Sequence, residues 1–270
     1  MTLLPPLSLQ QPIPLSDSFY GTDVSYIHDR GFSRFVDGCC AGLLQLVQQQ
    51  GINRGRIVDL GCGGGISTEA LADAGFETLG IDQSAAMIKL ARQRWPQGKF
   101  RRASLEDLPL PECQAITALG ETLNYTRTVH PGRRLSRFFA RAHRALTPNG
   151  LLIFDIREPL NRGELASKQQ WQGEDWACLV RQGLTRRGRT LTRHVTSFRQ
   201  LGKLYRREDE IHVQHLYSKS ELVASLRARG FRVRTRRSYG TYRLHDHRLV
   251  VVAKKVANPR SPRVFVPLDR

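Results

Sequence analysis

The stretch that most constrains this chain is Val58-Asp59-Leu60-Gly61-Cys62-Gly63-Gly64-Gly65. A short apolar run ends in four glycines within five residues, and helical spacing follows from Thr68. Glycine takes left-handed or crowded backbone without a side-chain clash, so main-chain N–H groups in such a turn can approach a ligand closely. The helix start behind it adds partial positive charge. One glycine turn is weak evidence. A second feature reinforces it: Asp82 stands 17 residues after Gly65, at the end of the next apolar run. A carboxylate there can accept hydrogen bonds from both hydroxyls of a ribose. Asp59, inside the end of the first run, departs from the plain dinucleotide fingerprint.

The alternation set up by this turn continues. Residues 68–74 read as a helix capped by Gly75, 78–81 as a strand, and 85–94 as a helix ended by Trp95-Pro96. Strands are expected at 100–103, 115–119 and 151–155, with a long amphipathic helix at 133–146 closed by the turn Thr147-Pro148-Asn149-Gly150. Such a β-α rhythm predicts a parallel sheet covered on both faces. Ahead of it, residues 17–50 carry apolar positions at three- and four-residue spacings and read as mostly helical. After Asp155 the rhythm changes. Residues 158–176 are polar and irregular. Residues 177–217 alternate, as in Leu191, Arg193, Val195 and Ser197, and Gly188 sits where a hairpin turns. A helix at 220–229 and strands at 231–237 and 248–254 close the pattern.

With Gly-Ile-Asp-Gln-Ser (80–84), the glycine turn resembles that of the class I S-adenosylmethionine-dependent methyltransferases. The resemblance continues in order through Leu105-Glu106-Asp107-Leu108-Pro109, Ala115 to Tyr125, and Ala145 to Leu152. It implies an α/β fold, a Rossmann-like seven-stranded, mostly parallel sheet with helices on both faces. An antiparallel β insertion follows the fifth strand, as in small-molecule members with a β lid. The implied layout is a flexible arm at 1–16, a methyltransferase domain at 17–257 and a loose tail at 258–270. Within the domain, 17–50 form an N-terminal helical lid, 51–157 the cofactor-binding core, 158–217 the β lid and 218–257 the end of the core.

The resemblance also implies roles. Gly61, Cys62, Gly63 and Gly65 should line the methionine part of S-adenosyl-L-methionine, and Asp59 should help hold its ammonium, directly or through water. Asp82 should bind the ribose, with Gln83 beside it. Ser104 falls where many relatives carry an Asp, so Leu105 or Glu106 could serve the adenine instead. Gly120 and Glu121 should sit under the sulfonium, with Leu119 as a further cofactor contact and Glu121 as the first choice of general base. Tyr20, His28, Asp155, His212 and Tyr239 are candidate acceptor contacts. His212 and His215 flank Val213-Gln214 on an expected strand, so they point opposite ways and suggest no metal site.

Composition bears on the acceptor. Of 270 residues, 42 are Lys or Arg and 24 Asp or Glu, a net charge of +18. Residues 1–154 hold 16 basic and 13 acidic groups and residues 155–270 hold 26 and 11, so the excess lies in the acceptor half. Nine basic and no acidic residues fall in 181–207, and Arg232, Arg234 and Arg236 alternate along one strand face. Two readings stand: methyl transfer to N or O of a small molecule, or an RNA-modifying enzyme that holds phosphates with its basic half. No Asn/Asp-Pro-Pro-Tyr tetrad and no Pro-Cys nucleophile loop support the second. Five cysteines fit reduced thiols in a cytoplasmic protein better than a disulfide framework. No run of 18 apolar residues suggests a membrane span, and residues 1–14 lack the basic start of a signal peptide. The exposed insertion sheet could support a homodimer.

Overall fold

A computed structural model describes residues 19–105, 108–125, 130–161, 165 and 168–256. The expected arm and tail lie outside the described residues, as does Glu106.

The stretch expected to be mostly helical before the core forms two helices, α1 (Thr22–Gly31) and α2 (Ser33–Gln48). Then come β1 (Arg56–Leu60), α3 (Ile66–Asp73), β2 (Glu77–Asp82), α4 (Ala85–Arg94), β3 (Phe100–Arg102) and β4 (Cys113–Ala118). They are followed by α5 (Pro131–Ala145) and β5 (Leu146–Arg157). Local chemistry sets the boundaries. Ser84 caps α4 by accepting from Met87 N at 3.1 Å, and Pro131 opens α5, where a missing N–H costs nothing. Leu135, Phe138, Phe139, Ala142 and Ala145 form the buried stripe of α5 at helical spacing. The turn expected at 147–150 is absorbed into a longer β5, with Asn149 taking φ +64° and a register shift between Cys113 and Ala115 on β4.

The insertion is a four-stranded antiparallel sheet of β6 (Lys168–Gln172), β7 (Trp176–Leu184), β8 (Thr190–Leu201) and β9 (Leu204–His215). Gly188 does turn a hairpin there, with φ +65°. Part of the stretch read as irregular, 168–172, is strand: Trp171 pairs with Cys178 across the sheet. Helix α6 (Lys219–Arg227) starts with a capping box of Ser218 and Glu221. Strand β10 (Phe231–Arg236), a short hairpin of β11 (Ser238–Tyr239) and β12 (Tyr242–Arg243), and β13 (Arg248–Lys255) follow.

The main sheet has the order β10-β13-β5-β4-β1-β2-β3. The strands from β5 through β3 pair in parallel, and β13 is antiparallel to both its neighbours. Central strands are apolar on both faces because both are covered. On one face Phe138, Phe139, Leu222 and Leu226 of α5 and α6 pack on Val58, Ile116, Leu152 and Phe154. On the other, Leu43, Val47 and Leu71 of α2 and α3 pack on Ile57, Ala115 and Ile153 with Tyr239. A third cluster joins Val24 and Ile27 of α1 to Trp176, Cys178, Val180 and Val195 of the insertion. It holds the small sheet as a roof over the carboxyl ends of the main strands. No helix among the described residues is long and apolar enough to cross a membrane.

Candidate active site

Ligands of open α/β sheets bind beyond the carboxyl ends of the strands, where the order reverses. Here the reversal falls between β1 and β4, and the glycine turn fills it. Gly61, Gly63 and Gly65 all have left-handed φ, at +64°, +53° and +84°. The Gly61 and Cys62 amides donate to Ile81 O, pinning the turn to the end of β2. Asp82 closes the arrangement: its Oδ2 accepts from Gly63 N at 3.0 Å and its Oδ1 from Ser84 N at 2.8 Å. Burial raises the Asp82 carboxyl although both amides favour its ionised form.

Asp59 is placed differently from the expectation. Ser67 and Thr68 donate to its Oδ2 at 2.6 and 2.8 Å, and Thr117 to its Oδ1 at 2.8 Å. It is 1% exposed and does not line the cavity. Its carboxylate bolts β1, α3 and β4 together and is not offered to a ligand directly.

Beyond β4, Gly120 and Glu121 are both left-handed, at φ +75° and +61°. For a non-glycine residue that backbone costs roughly 1–2 kcal/mol, and Asp155 offsets it. Its two carboxylate oxygens accept from Gly120 N and Glu121 N at 2.9 Å each, and Tyr239 Oη donates to it at 3.1 Å. Burial pushes the Asp155 carboxyl up to about 6. Asp155 and Tyr239 therefore stand behind the site rather than in it, and neither lines the cavity.

Glu121 is the hub of an ion cluster. Arg157 Nε lies at 3.1 Å, Arg193 at 3.4 Å, Arg248 Nε at 2.7 Å, and Gln214 Nε2 donates at 2.9 Å. Burial raises its carboxyl, but Arg248, Arg157 and Arg193 outweigh that and hold it well below the usual carboxylate range. A carboxylate so held is a poor proton acceptor, which weighs against the expected role of Glu121 as general base.

The roof supplies the opposite wall. His212 Nε2 lies 2.7 Å from Glu210 Oε2. Glu210 also accepts from Tyr20 N at 2.9 Å and Gly21 N at 2.7 Å. The Tyr20 carbonyl accepts from Ser84 Oγ at 2.6 Å. Tyr20, itself left-handed at φ +54°, thus joins roof and sheet edge through its own backbone. Its hydroxyl meets Tyr125 Oη at 3.0 Å. The rings of Phe19, Tyr20 and Tyr125 lie 4.7–6.0 Å from that of His212. His28 packs edge-on to Tyr20, and burial pushes it down to about 4. His215, by contrast, leaves the site and packs on Tyr217.

One cavity of about 1040 Å³ connects these parts. Gly61, Cys62, Gly63, Asp82, Gln83, Ser104, Leu105, Leu119 and Gly120 line its sheet side. Tyr20, His28 and His212 line the roof side with Trp171 and Arg193, and Glu121 and Arg248 line the main-sheet end; sequence reasoning did not single out Trp171, Arg193 and Arg248 as site residues. Gly65 lies just outside the lining, at the N-cap of α3. Ligand pockets run to roughly 300–1,000 Å³, so this one stands at the large end of that range. Among the described residues no cluster of His, Cys, Asp or Glu could hold a metal ion.

Known proteins resemble the chain in this same region. The "Methyltransferase domain" family model matches residues 58–154, the segment that carries the glycine turn, Asp82 and the β4 loop. That match places a methyltransferase domain in residues 58–154. The chain is 27% identical over 187 residues to the Bacillus subtilis protein named "Putative methyltransferase YqeM", covering 67% of this chain and 74% of that protein. It is 32% identical over 126 residues to an Acidovorax trans-aconitate 2-methyltransferase, covering 44% of this chain and 46% of that enzyme. The chain thus spans under half the length of that relative. An S-adenosylmethionine-dependent methyltransferase from Clostridium acetobutylicum superposes with a TM-score of 0.75 at 17% identity. The superposition covers 86% of this chain and 98% of that one, and it bears on the fold alone.

Proposed function

We propose that the enzyme transfers the methyl group of S-adenosylmethionine to an N or O atom of a small acceptor held between the sheet edge and the β roof. The observation that carries this reading is the single cavity running from Gly63 and Asp82 to Trp171 and His212. The residues present fit the cofactor. Gly61 and Gly63 present backbone without side chains, and Asp82, fixed by two amides, can accept from ribose hydroxyls. Gln83, Ser104 and Leu105 lie further along the same wall, where the adenine would rest. When bound, S-adenosylmethionine supplies a methyl group activated on a sulfonium.

The protein's share is then positioning and exclusion of water. Phe19, Tyr20, Phe32, Tyr125 and Trp171 give the acceptor side aromatic walls. Arg157, Arg193 and Arg248 outnumber Glu121 and the Asp155 behind it, so this end of the cavity favours an acceptor that also bears an anionic group. The trans-aconitate methyltransferases act on an acid by name, which agrees with that preference.

The deciding experiment supplies methyl-labelled S-adenosylmethionine with metabolite extract and total RNA in parallel. Label in a low-molecular-weight anion is the expected outcome. Label in RNA alone, or in neither, overturns the proposal.

A further inference from the structure

We infer that His212, oriented by Glu210, is the general base of the reaction, and that the acceptor atom is therefore a hydroxyl or amine that must lose a proton, not a carboxylate oxygen. This rests on the methyl-transfer reading above and specifies its acceptor.

The tautomer follows from the hydrogen bonds. Glu210 accepts from two backbone amides, Tyr20 N and Gly21 N, which can only donate. Its Oε2 also contacts His212 Nε2 at 2.7 Å, and a carboxylate so engaged can only accept. Nε2 therefore carries the hydrogen, and in its neutral form His212 presents Nδ1 as a bare lone pair. Among the described residues no protein group is bonded to Nδ1, and the ring lines the cavity while the residue is 3% exposed. Base, orienting carboxylate and reaction space thus stand in the order that general-base catalysis requires.

The groups around the ring leave that role open to it. Burial raises the Tyr20 hydroxyl well above its usual range, so it stays protonated and neutral. His28, pushed down to about 4, is also neutral near pH 7 and adds no competing positive charge. Tyr125 stands on the third side, and the nearest cation, Arg193, is occupied by Tyr125 and Glu121. Glu121, by contrast, is held by three arginines and has no comparable freedom.

In the step, the acceptor X–H gives its proton to Nδ1 as the X–CH₃ bond forms. The C–S bond breaks with its electron pair left on sulfur, which becomes a neutral thioether. The positive charge lost by sulfur reappears as the imidazolium, paired with the Glu210 carboxylate, and solvent takes the proton after product release. A carboxylate acceptor would need none of this apparatus.

Two measurements test the inference. The first needs no acceptor: ¹⁵N-histidine spectra of the full chain, with His212 assigned through H212Q. The Nε2–H tautomer is expected, with both tautomers populated in E210Q; an Nδ1–H tautomer in the unmodified protein overturns the dyad. The second uses the acceptor isolated from the labelled-product screen. H212Q should lose about 100-fold or more in kcat/KM, while S-adenosylhomocysteine affinity by calorimetry stays within threefold, which also confirms folding. E210Q should lose about tenfold, and added imidazole should restore part of the activity of H212A. Retention of activity within threefold by both H212Q and H212A, or a product methylated on a carboxylate, overturns the proposal. If no small molecule takes the label, the function itself fails, and the tautomer spectrum tells that failure from a failure of the dyad.

Discussion

Gly61 and Gly63 belong to one turn but should fail in different ways when given a side chain. A Cβ on Gly61 would sit 2.5 Å from the Thr122 side chain, whereas on Gly63 it would find only Met87 Sδ at 3.8 Å. G61A should therefore lower stability by about 1–3 kcal/mol through clash and left-handed strain. G63V pays strain too, but its branches enter the cavity, so the larger effect should be lost S-adenosylhomocysteine binding. Thermal melts and calorimetry on the two variants separate these outcomes. D82A should abolish measurable cofactor binding by removing both the ribose acceptor and the clamp on Gly63 N; unchanged affinity would remove the ribose assignment. Asp155 gives a pH signature. Its folded value, about 6, lies above its ordinary 3.8. Between those values the unfolded chain has released the proton and the folded chain retains it, so stability falls as pH rises through this window, by up to about 3 kcal/mol. D155N should flatten the Tm-against-pH curve from pH 4 to 6. An unchanged slope would contradict the assignment. Glu121, shifted the other way, contributes stability above its ordinary 4.5 and loses it in stronger acid.

At the scale of elements, the legible parts were those whose cause is local. The glycine turn, the carboxylate ending β2 and the apolar runs of the parallel strands each announce themselves within ten residues. The state of Glu121 does not, because Arg193 arrives from 72 residues later on another sheet. A hint was present: Arg193 shares the inward alternation of Leu191, Val195 and Ser197, which makes it a basic residue on an apolar face. The break between α1 and α2 was missed because Gly31-Phe32 interrupts neither spacing nor polarity. Its cause is tertiary, Trp176 packing within 2.7 Å of where a Gly31 Cβ would stand. The roof is fastened to α1 by buried Asp23, which takes two hydrogen bonds from Arg206 at 2.5 Å and a third from Arg199 at 3.4 Å. D23A leaves both arginines without that partner and should loosen the roof: stopped-flow should record faster S-adenosylhomocysteine release, by about tenfold, with the main sheet's circular dichroism intact. An unaltered release rate would mean that the clasp does not gate the cavity.

For the whole molecule, the excess of positive charge resolves into two populations. Some arginines are consumed in ion pairs, at Glu121, where they line the cavity, and at the Asp23 clasp on α1. Others are plainly surface: Arg232, Arg234 and Arg236 are exposed along β10, an edge of the main sheet. Charged edge positions discourage edge-to-edge pairing with other chains, which gives this stripe a purpose without any polyanion. Total RNA should accordingly bind weakly and in a salt-dependent way, and filter binding should fade between roughly 50 and 200 mM salt. Tight retention at 200 mM would reopen a nucleic-acid role.

The backbone of Tyr20 has a kinetic corollary. Its N–H is held by the roof and its C=O by Ser84 beside the end of β2, so neither half of the cavity can open without disturbing the same residue. Such an enzyme has one door for two products. The spent cofactor and the methylated acceptor would leave in the same opening event, and the first turnover would outrun the rest. A pre-steady-state burst of one equivalent is the trace this leaves, and S84A, which frees one side of the latch, should shrink it.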